Sequence, residues 1–317
     1  MVVATAFGGP EVLSVVDQPV PEPGPGQARI EVRAAGVNPV DWKVYSGRMG
    51  ADPARLPMRL GSEAAGVVTA VGPGPAGTAV AGPAGPVRVG DEVIAFRAPG
   101  AYAAALIAPA DALVPKPAAL DWAQASALML TGVTAWHALA ATGVRRGDTV
   151  LMHGAAGGVG IMAVQLAVSR GATVIATASP PRHDFLRGLG AIAVAYGDGL
   201  AGRVRAAAPG GVAVALDLIG TGEALDVSLA LVPDRSRIAT IVVTPRARET
   251  GIKLLGGAPG ADPGTVIRSA ARLDLARLAG DGALHVFVTR TYPLSQVAAA
   301  HRMSMAGHAT GKIALIP

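Results

Sequence analysis

The sequence predicts an α/β protein in two parts: a mostly antiparallel β domain, then a doubly wound parallel sheet with helices on both faces. Three observations carry this. Residues 28–34 alternate apolar Ala28, Ile30, Val32 and Ala34 with charged Arg29, Glu31 and Arg33, the period of a strand with one wet face. From about Asp121 helical segments alternate with short aliphatic strands, the punctuation of βαβ units. Within that half, a strand at 149–152 runs into a cluster of glycines and then a helical pattern at 161–170.

The chain has 317 residues, more than one typical domain of roughly 100–200. With 51% hydrophobic and 15% charged residues it can bury enough surface to offset the entropy of ordering, which excludes a disordered chain. It has no cysteine, so disulfides, thiolate zinc sites, iron–sulfur clusters and cysteine nucleophiles are excluded together. Forty-two glycines and 25 prolines against three Trp, four Tyr and four Phe predict many tight turns and a core of small aliphatic side chains. The net charge of +5 is scattered, with no run of five cations, so no nucleic-acid partner is expected.

A mean hydropathy of +0.44 raises the question of a membrane. Residues 122–144 and 150–168 contain no Asp, Glu, Lys or Arg, and length alone would let both span. The first, however, carries Gln124, Ser126, three threonines and His137, and glycines break the second; buried elements of a globular fold are expected. No cation precedes Arg29, and Pro10 and Glu11 come early, unlike a secretory leader, so the expected location is cytoplasmic.

In order along the chain, Pro19, Pro21, Pro23 and Pro25 make an extended connector into the 28–34 strand. Apolar runs at 64–71, 92–96 and 102–108, separated by Gly and Pro, continue the β domain. Residues 72–85, almost wholly Gly, Pro and Ala, are expected to form a mobile surface loop. Parallel strands are expected at 149–152, 173–178, 191–196, 212–219 and 238–243. The tail returns to a strand at 285–292, a helix at 295–306 and a final strand at 312–316.

The glycine cluster reads His153, Gly154, Ala155, Ala156, Gly157, Gly158, Val159, Gly160, which from Ala155 is A-x-G-x-x-G between a strand and a helix. In that context Gly157 lets backbone approach a pyrophosphate and Gly160 lets the helix pack on the strand. The helix start offers N–H groups and a positive dipole end. Folds that use NAD place an acid at the end of the second strand for the ribose 2′-hydroxyl. Here that end reads Thr177, Ala178, Ser179, and the first acid is Asp184. Ser179 and Arg182 instead suit a 2′-phosphate, so NADP(H) is the expected cofactor. The other reading makes Ser179 an N-cap and Arg182 a solvated residue of the following turn.

Several segments together resemble the medium-chain dehydrogenase/reductase superfamily, and within it the zinc-independent quinone oxidoreductase (zeta-crystallin-like) and enoyl reductase branch. They are Gly36-Val37-Asn38-Pro39-Val40-Asp41, Leu60-Gly61-Ser62-Glu63-Ala64-Ala65-Gly66, Val89-Gly90-Asp91-Glu92-Val93, residues 131–139, the dinucleotide turn, and Gly311-Lys312-Ile313-Ala314-Leu315. The resemblance implies a GroES-like, mostly-β domain from 1–120 and 284–317, a Rossmann domain from 121–283, and a cleft at their junction. It implies cofactor contacts at Ala155, Gly157, Gly158, Val159, Gly160, Ser179, Arg182, Tyr196, Ile219, Val243 and Lys312, with Thr134 and Asn38 near the nicotinamide. It also implies a homodimer acting on a small-molecule quinone, enone or enoyl substrate. Zinc-dependent relatives have a histidine before the glutamate where this chain has Ser62-Glu63, so no metal is expected.

The substrate's hydrogen-bond donor is open. Many relatives have a tyrosine just after the segment Ser46-Gly47-Arg48, where this chain has Met49. Tyr45, four residues earlier, reads as a donor or as a packing residue, and Asn38 as a carbonyl donor or as an ordinary turn residue before proline. The expected activity is NADPH-dependent reduction of quinones or α,β-unsaturated carbonyl compounds. The alternatives are an enoyl-thioester reductase of polyketide-type metabolism, suggested by Ala176-Thr177-Ala178-Ser179-Pro180, and a non-catalytic NADPH-binding protein.

Overall fold

The computed structural model describes residues 1–74, 78–307 and 309–317. It divides into two compact units, Met1–Leu130 with Arg272–Pro317, and Thr131–Ala271. Residues 121–130 and 272–283, expected with the parallel sheet, group with the first unit through contacts between residues distant in sequence. Gln124 Nε2 donates to Val286 O at 3.4 Å, Arg272 Nη1 donates to Asp111 O at 2.6 Å, and Gly280 lies against Pro117.

The first unit is built on a seven-stranded sheet. Its strands run in the order Leu113–Pro115, Glu92–Phe96, Glu63–Val71, Gln27–Val37, Lys312–Ile316 and Val288–Pro293, with Ala105–Pro109 also paired to Gln27–Val37. Every pairing is antiparallel except the last along the path. The long Gln27–Val37 strand alternates in burial as its sequence does up to Arg33, then is buried from Ala34 to Val37, where the tail strand pairs Ile313 with Val37. The tail therefore completes this sheet. Fully buried Ile30, Ile94, Tyr45 and Tyr102 anchor its core, an aliphatic side chain of this size contributing about 1.5–3 kcal/mol when buried.

The 72–85 stretch is anchored over its described part. Gly72 N donates to Gln27 O, Gly26 N donates to Pro73 O, both at 2.9 Å, and Ala81–Gly82 pairs with Gly85–Pro86. Residues 75–77, which the mobile-loop expectation also covered, lie outside the described residues. The 102–108 strand starts only at Ala105, because Tyr102 N is bonded to Leu60 O.

The second unit holds a six-stranded, wholly parallel sheet. Its order is Ile192–Val194, Thr173–Thr177, Thr149–His153, Val214–Asp217, Ile238–Thr240, Lys253–Leu254. Numbered along the chain, this is 3-2-1-4-5-6, the order of doubly wound dinucleotide folds, with its switch point beside the first strand. The Gly158–Ser169 helix buries every residue from Gly160 to Ala167, which accounts for the charge-free run at 150–168. Among the described residues no helix is long and apolar enough to cross a membrane.

The parallel strands end earlier than the apolar runs suggest. Leu218 N still donates to His153 O at 3.2 Å, but Ile219 leaves the ladder because Asp217 Oδ1 accepts from Ile219 N at 3.1 Å and from Gly220 N at 2.8 Å, turning the chain at the strand's carboxyl end.

Candidate cofactor and substrate sites

In the second unit the strand Thr149–His153 turns at Gly154, whose φ of +70° suits glycine. Ala155 is buried, its N–H donating to Thr177 O at 3.3 Å, so the turn is tied to the neighbouring strand. Gly157 is the N-cap of the Gly158–Ser169 helix. The N–H groups of the first helical turn lack acceptors within the helix, and the dipole is positive there. A Cβ on Gly160 would sit 2.5 Å from both Gly154 O and Ala155 O, whereas one on exposed Gly157 would meet only Gly154 O at 3.4 Å. Gly160 is thus required by packing. Gly157 is open to an approaching group.

The other rim loops follow the carboxyl ends of adjacent strands. Ser179 and Arg182 come after Thr173–Thr177 and are half-buried. Ser179 holds the N-cap position of the short turn Pro180–Arg182, and its side chain makes no cap hydrogen bond there. Ala178 N donates to Val194 O at 3.1 Å, so the Ser179 loop and the Tyr196 loop leave the sheet side by side. Tyr196 is 58% exposed. On the other side of the switch point, a Cβ on Gly154 would lie 3.2 Å from the Ile219 Cβ, and one on Gly220 2.4 Å from Val242 Cγ1. Gly154, Ile219 and the Val242–Val243 segment therefore share one edge. Thr134 is buried on the Met129–Ala141 helix.

Sequence reasoning missed a buried polar row on the last residues of the same strands. His153 pairs in register with Asp217, and its Nδ1 lies 3.5 Å from Thr177 Oγ1. Thr240 Oγ1 donates to Asp217 Oδ2 at 2.9 Å. Burial pushes the His153 imidazole down to about 4 against the pull of Asp217, so it is neutral at pH 7. The available signal was a polar residue closing each aliphatic run.

In the first unit, three sequence-predicted residues are committed elsewhere. Asn38 is fully buried at the start of the Pro39–Tyr45 helix. Its Nδ2 donates to Glu63 Oε1 at 2.9 Å and to Gly36 O at 3.4 Å, while its Oδ1 accepts from Lys312 Nζ. Lys312 is 4% exposed and gives its remaining donors to Val37 O at 3.0 Å and Glu63 Oε1 at 3.1 Å. All three ammonium hydrogens are matched, which corrects the expectation that Lys312 contacts the cofactor. The Asn38 amide is likewise spent, which corrects its reading as a carbonyl donor. Tyr45 is fully buried, its hydroxyl 2.9 Å from His301 Nδ1 and its ring stacked on the imidazole at 5.5 Å.

The same core contains Asp41, which accepts from Asn38 N at 2.8 Å and from Tyr102 OH at 2.6 Å. Burial raises its carboxyl to about 6, opposed by the Tyr102 hydrogen bond.

Comparison with known proteins agrees with both architectures. The family model described as alcohol dehydrogenase GroES-like domain matches residues 24–118, and that described as zinc-binding dehydrogenase matches 189–315. A mycobacterial quinone oxidoreductase is 33% identical over all of both chains, with a TM-score of 0.78. The chain belongs to the medium-chain dehydrogenase/reductase superfamily, in its quinone oxidoreductase-like branch. Its first unit carries the GroES-like fold and its second is the Rossmann, NAD(P)-binding domain of this superfamily. The Escherichia coli quinone oxidoreductase, solved as a complex with NADPH, is 28% identical with a TM-score of 0.84, covering 100% of this chain and 99% of that one. The spectinabilin polyketide synthase system protein NorB of Streptomyces orinoci is 36% identical over 97% of this chain, which spans 14% of that synthase. Against other curated quinone oxidoreductases the matched stretch spans about half of the relative, 50–53%.

The second family description names zinc, and the residues present do not fit that ion. Ser62 stands before Glu63, and both Glu63 oxygens already accept hydrogen bonds, Oε1 from Asn38 and Lys312 and Oε2 from Leu130 N at 2.8 Å. No cysteine exists in the chain, and among the described residues no group of three or more His, Cys, Asp or Glu could hold a metal.

Proposed function

We propose that this protein is an NADPH-dependent, zinc-free reductase of quinones or of carbon–carbon double bonds conjugated to a carbonyl. One observation carries it: the glycine turn at the sheet's switch point is flanked by Ser179 and Arg182, with no carboxylate ending the second strand. In this reading Ala155, Gly157, Gly158, Val159 and Gly160 hold the pyrophosphate through backbone N–H groups. Ser179, Arg182 and Tyr196 face the 2′-phosphate, and Ile219, Val243 and Thr134 shape the nicotinamide end. The bound nicotinamide supplies the hydride; the chain orients it and excludes water. With Asn38 and Tyr45 spent in the core, neither donates to the substrate.

A panel of quinones, small enones and enoyl thioesters with NADPH tests the reading. Steady NADPH oxidation with a quinone or enone supports it, and binding without turnover on any acceptor supports a non-catalytic NADPH-binding protein instead. A second substrate reading, enoyl thioesters of polyketide-type metabolism, is favoured by the near full-length match to a polyketide synthase segment; thioesters outpacing every quinone would select it. The reading includes a cytoplasmic homodimer, which sedimentation of the purified protein tests, and metal analysis should find less than stoichiometric zinc. Arg182→Ala should weaken NADPH by about 1.5–3 kcal/mol, one charge-assisted contact, and leave NADH nearly unchanged. Direct titration of both cofactors measures this, and equal losses would remove the phosphate role.

A further inference from the structure

Between the strand Ile192–Val194 and the helix Leu200–Ala207 lies a five-residue loop, Ala195, Tyr196, Gly197, Asp198 and Gly199. It contains two left-handed glycines, Gly197 at φ +93° and Gly199 at φ +81°. A loop of this composition has little intrinsic preference for one shape. Here it is gathered around a single guanidinium. Arg203 Nε donates to Ala195 O at 2.9 Å, Nη2 to Gly197 O at 2.7 Å and Nη1 to Asp198 O at 2.7 Å. From the opposite side Glu223 Oε2 accepts from Gly197 N at 3.1 Å. The three carbonyls bracket Tyr196, the loop's one large side chain, which stands 58% exposed although everything around its backbone is tied.

An exposed phenol on a loop held by four side-chain hydrogen bonds is a presented group. Its neighbour across the strand ends is the Ser179 loop, joined through Ala178 N and Val194 O. We propose that Arg203, with Glu223, is a positioning residue that fixes Tyr196 beside Ser179 and Arg182 and so sets the preference for a 2′-phosphorylated dinucleotide. Arg203 does not meet the phosphate; it acts through the tyrosine. The guanidinium suits this task because its planar fork reaches three carbonyls at once, which a lysine ammonium on a mobile stem does not do in one geometry. The inference rests on the NADPH reading above.

The test titrates the full chain by calorimetry with adenosine 2′,5′-bisphosphate and with 5′-AMP, which differ by the 2′-phosphate alone. Arg203→Met should weaken the bisphosphate on the order of tenfold and 5′-AMP by less than about twofold. Tyr196→Phe should weaken the bisphosphate as well, and adding Arg203→Met to Tyr196→Phe should cost little more, since the two changes remove the same contact. Glu223→Ala should move affinity in the same direction and carries the test should Arg203→Met not fold. Equal losses for both nucleotides, or an Arg203→Met effect undiminished in the Tyr196→Phe background, would overturn the positioning role and leave a plain loop staple. A wild-type protein that binds both nucleotides equally would remove the NADPH reading and this inference with it. Wild-type preference surviving intact in Arg203→Met removes the inference alone.

Discussion

Tyr45 shows how a residue that looks chemical in sequence is claimed by packing. Its hydroxyl is bonded to His301 Nδ1 and its ring lies against the imidazole, with Tyr102 meeting the same imidazole edge-on at 5.7 Å. Tyr45→Phe keeps the ring and loses one buried hydrogen bond, so stability should fall by about 1–3 kcal/mol, including the cost of leaving His301 unpaired. Cofactor oxidation should stay within about twofold of wild type; a thousandfold loss of rate with an unchanged melting point would make Tyr45 a catalytic donor after all. Lys312 makes the complementary case. Lys312→Met would leave Glu63 buried with its charge unmatched and should cost about 3–5 kcal/mol in chemical denaturation, with little change in the cofactor affinity of whatever folds. Neither role was legible in the sequence, because Tyr45 meets His301 across 256 residues, and Asn38, Glu63 and Lys312 meet only where Glu63–Val71 and the tail strand both pair with Gln27–Val37.

At the scale of the element, the strand–turn–helix at 149–169 was legible because its signal is local: an aliphatic strand, glycines at fixed spacing, then a helical pattern. The structure separates its two key glycines by what each is for. A Cβ on Gly160 would lie 2.5 Å from backbone oxygens, and no small shift of a side chain relieves that contact. Gly160→Ala should therefore lower the melting temperature and cofactor affinity together. At Gly157, where a Cβ would stand 3.4 Å from Gly154 O and φ is an ordinary −78°, a side chain is accepted without strain in the free protein. Gly157→Val should leave the melting temperature within a few degrees of wild type while abolishing measurable NADPH binding, because the branched side chain fills the approach to the helix N-terminus. Thermal melts with and without NADPH check both. A Gly157→Val protein stabilised by NADPH as strongly as wild type would move the pyrophosphate elsewhere. Strand ends were less legible than the strands, since Asp217 turns the chain while the sequence is still apolar at Leu218 and Ile219.

For the whole molecule, the two-part architecture followed from the change in texture near Asp121, whereas helix Trp122–Ser126 joins the first unit through packing that no local pattern encodes. The buried titratable groups have a shared consequence for stability. His153 and His301 are each pushed down to about 4 by burial, so unfolding lets them take up protons between their ordinary value of 6.5 and 4. Their contribution is present above pH 6.5 and is lost as pH falls toward 4. Asp41, raised from 3.8 to about 6, acts in the opposite sense: it favours the fold at low pH, and that contribution is lost as pH rises from 3.8 through 6. A tenfold difference in proton affinity between the folded and unfolded chain is worth about 1.4 kcal/mol, so two displaced histidines outweigh one displaced carboxyl. Stability should therefore fall from pH 7 to pH 4.5, as read by urea denaturation. His301→Gln should flatten that fall, whereas Asp41→Asn, which retains an acceptor for Asn38 N and Tyr102 OH but cannot ionise, should steepen it. A flatter curve in Asp41→Asn would mean that the carboxylate is held ionised in the folded core, its hydrogen bonds from Tyr102 and Asn38 outweighing the cost of its burial.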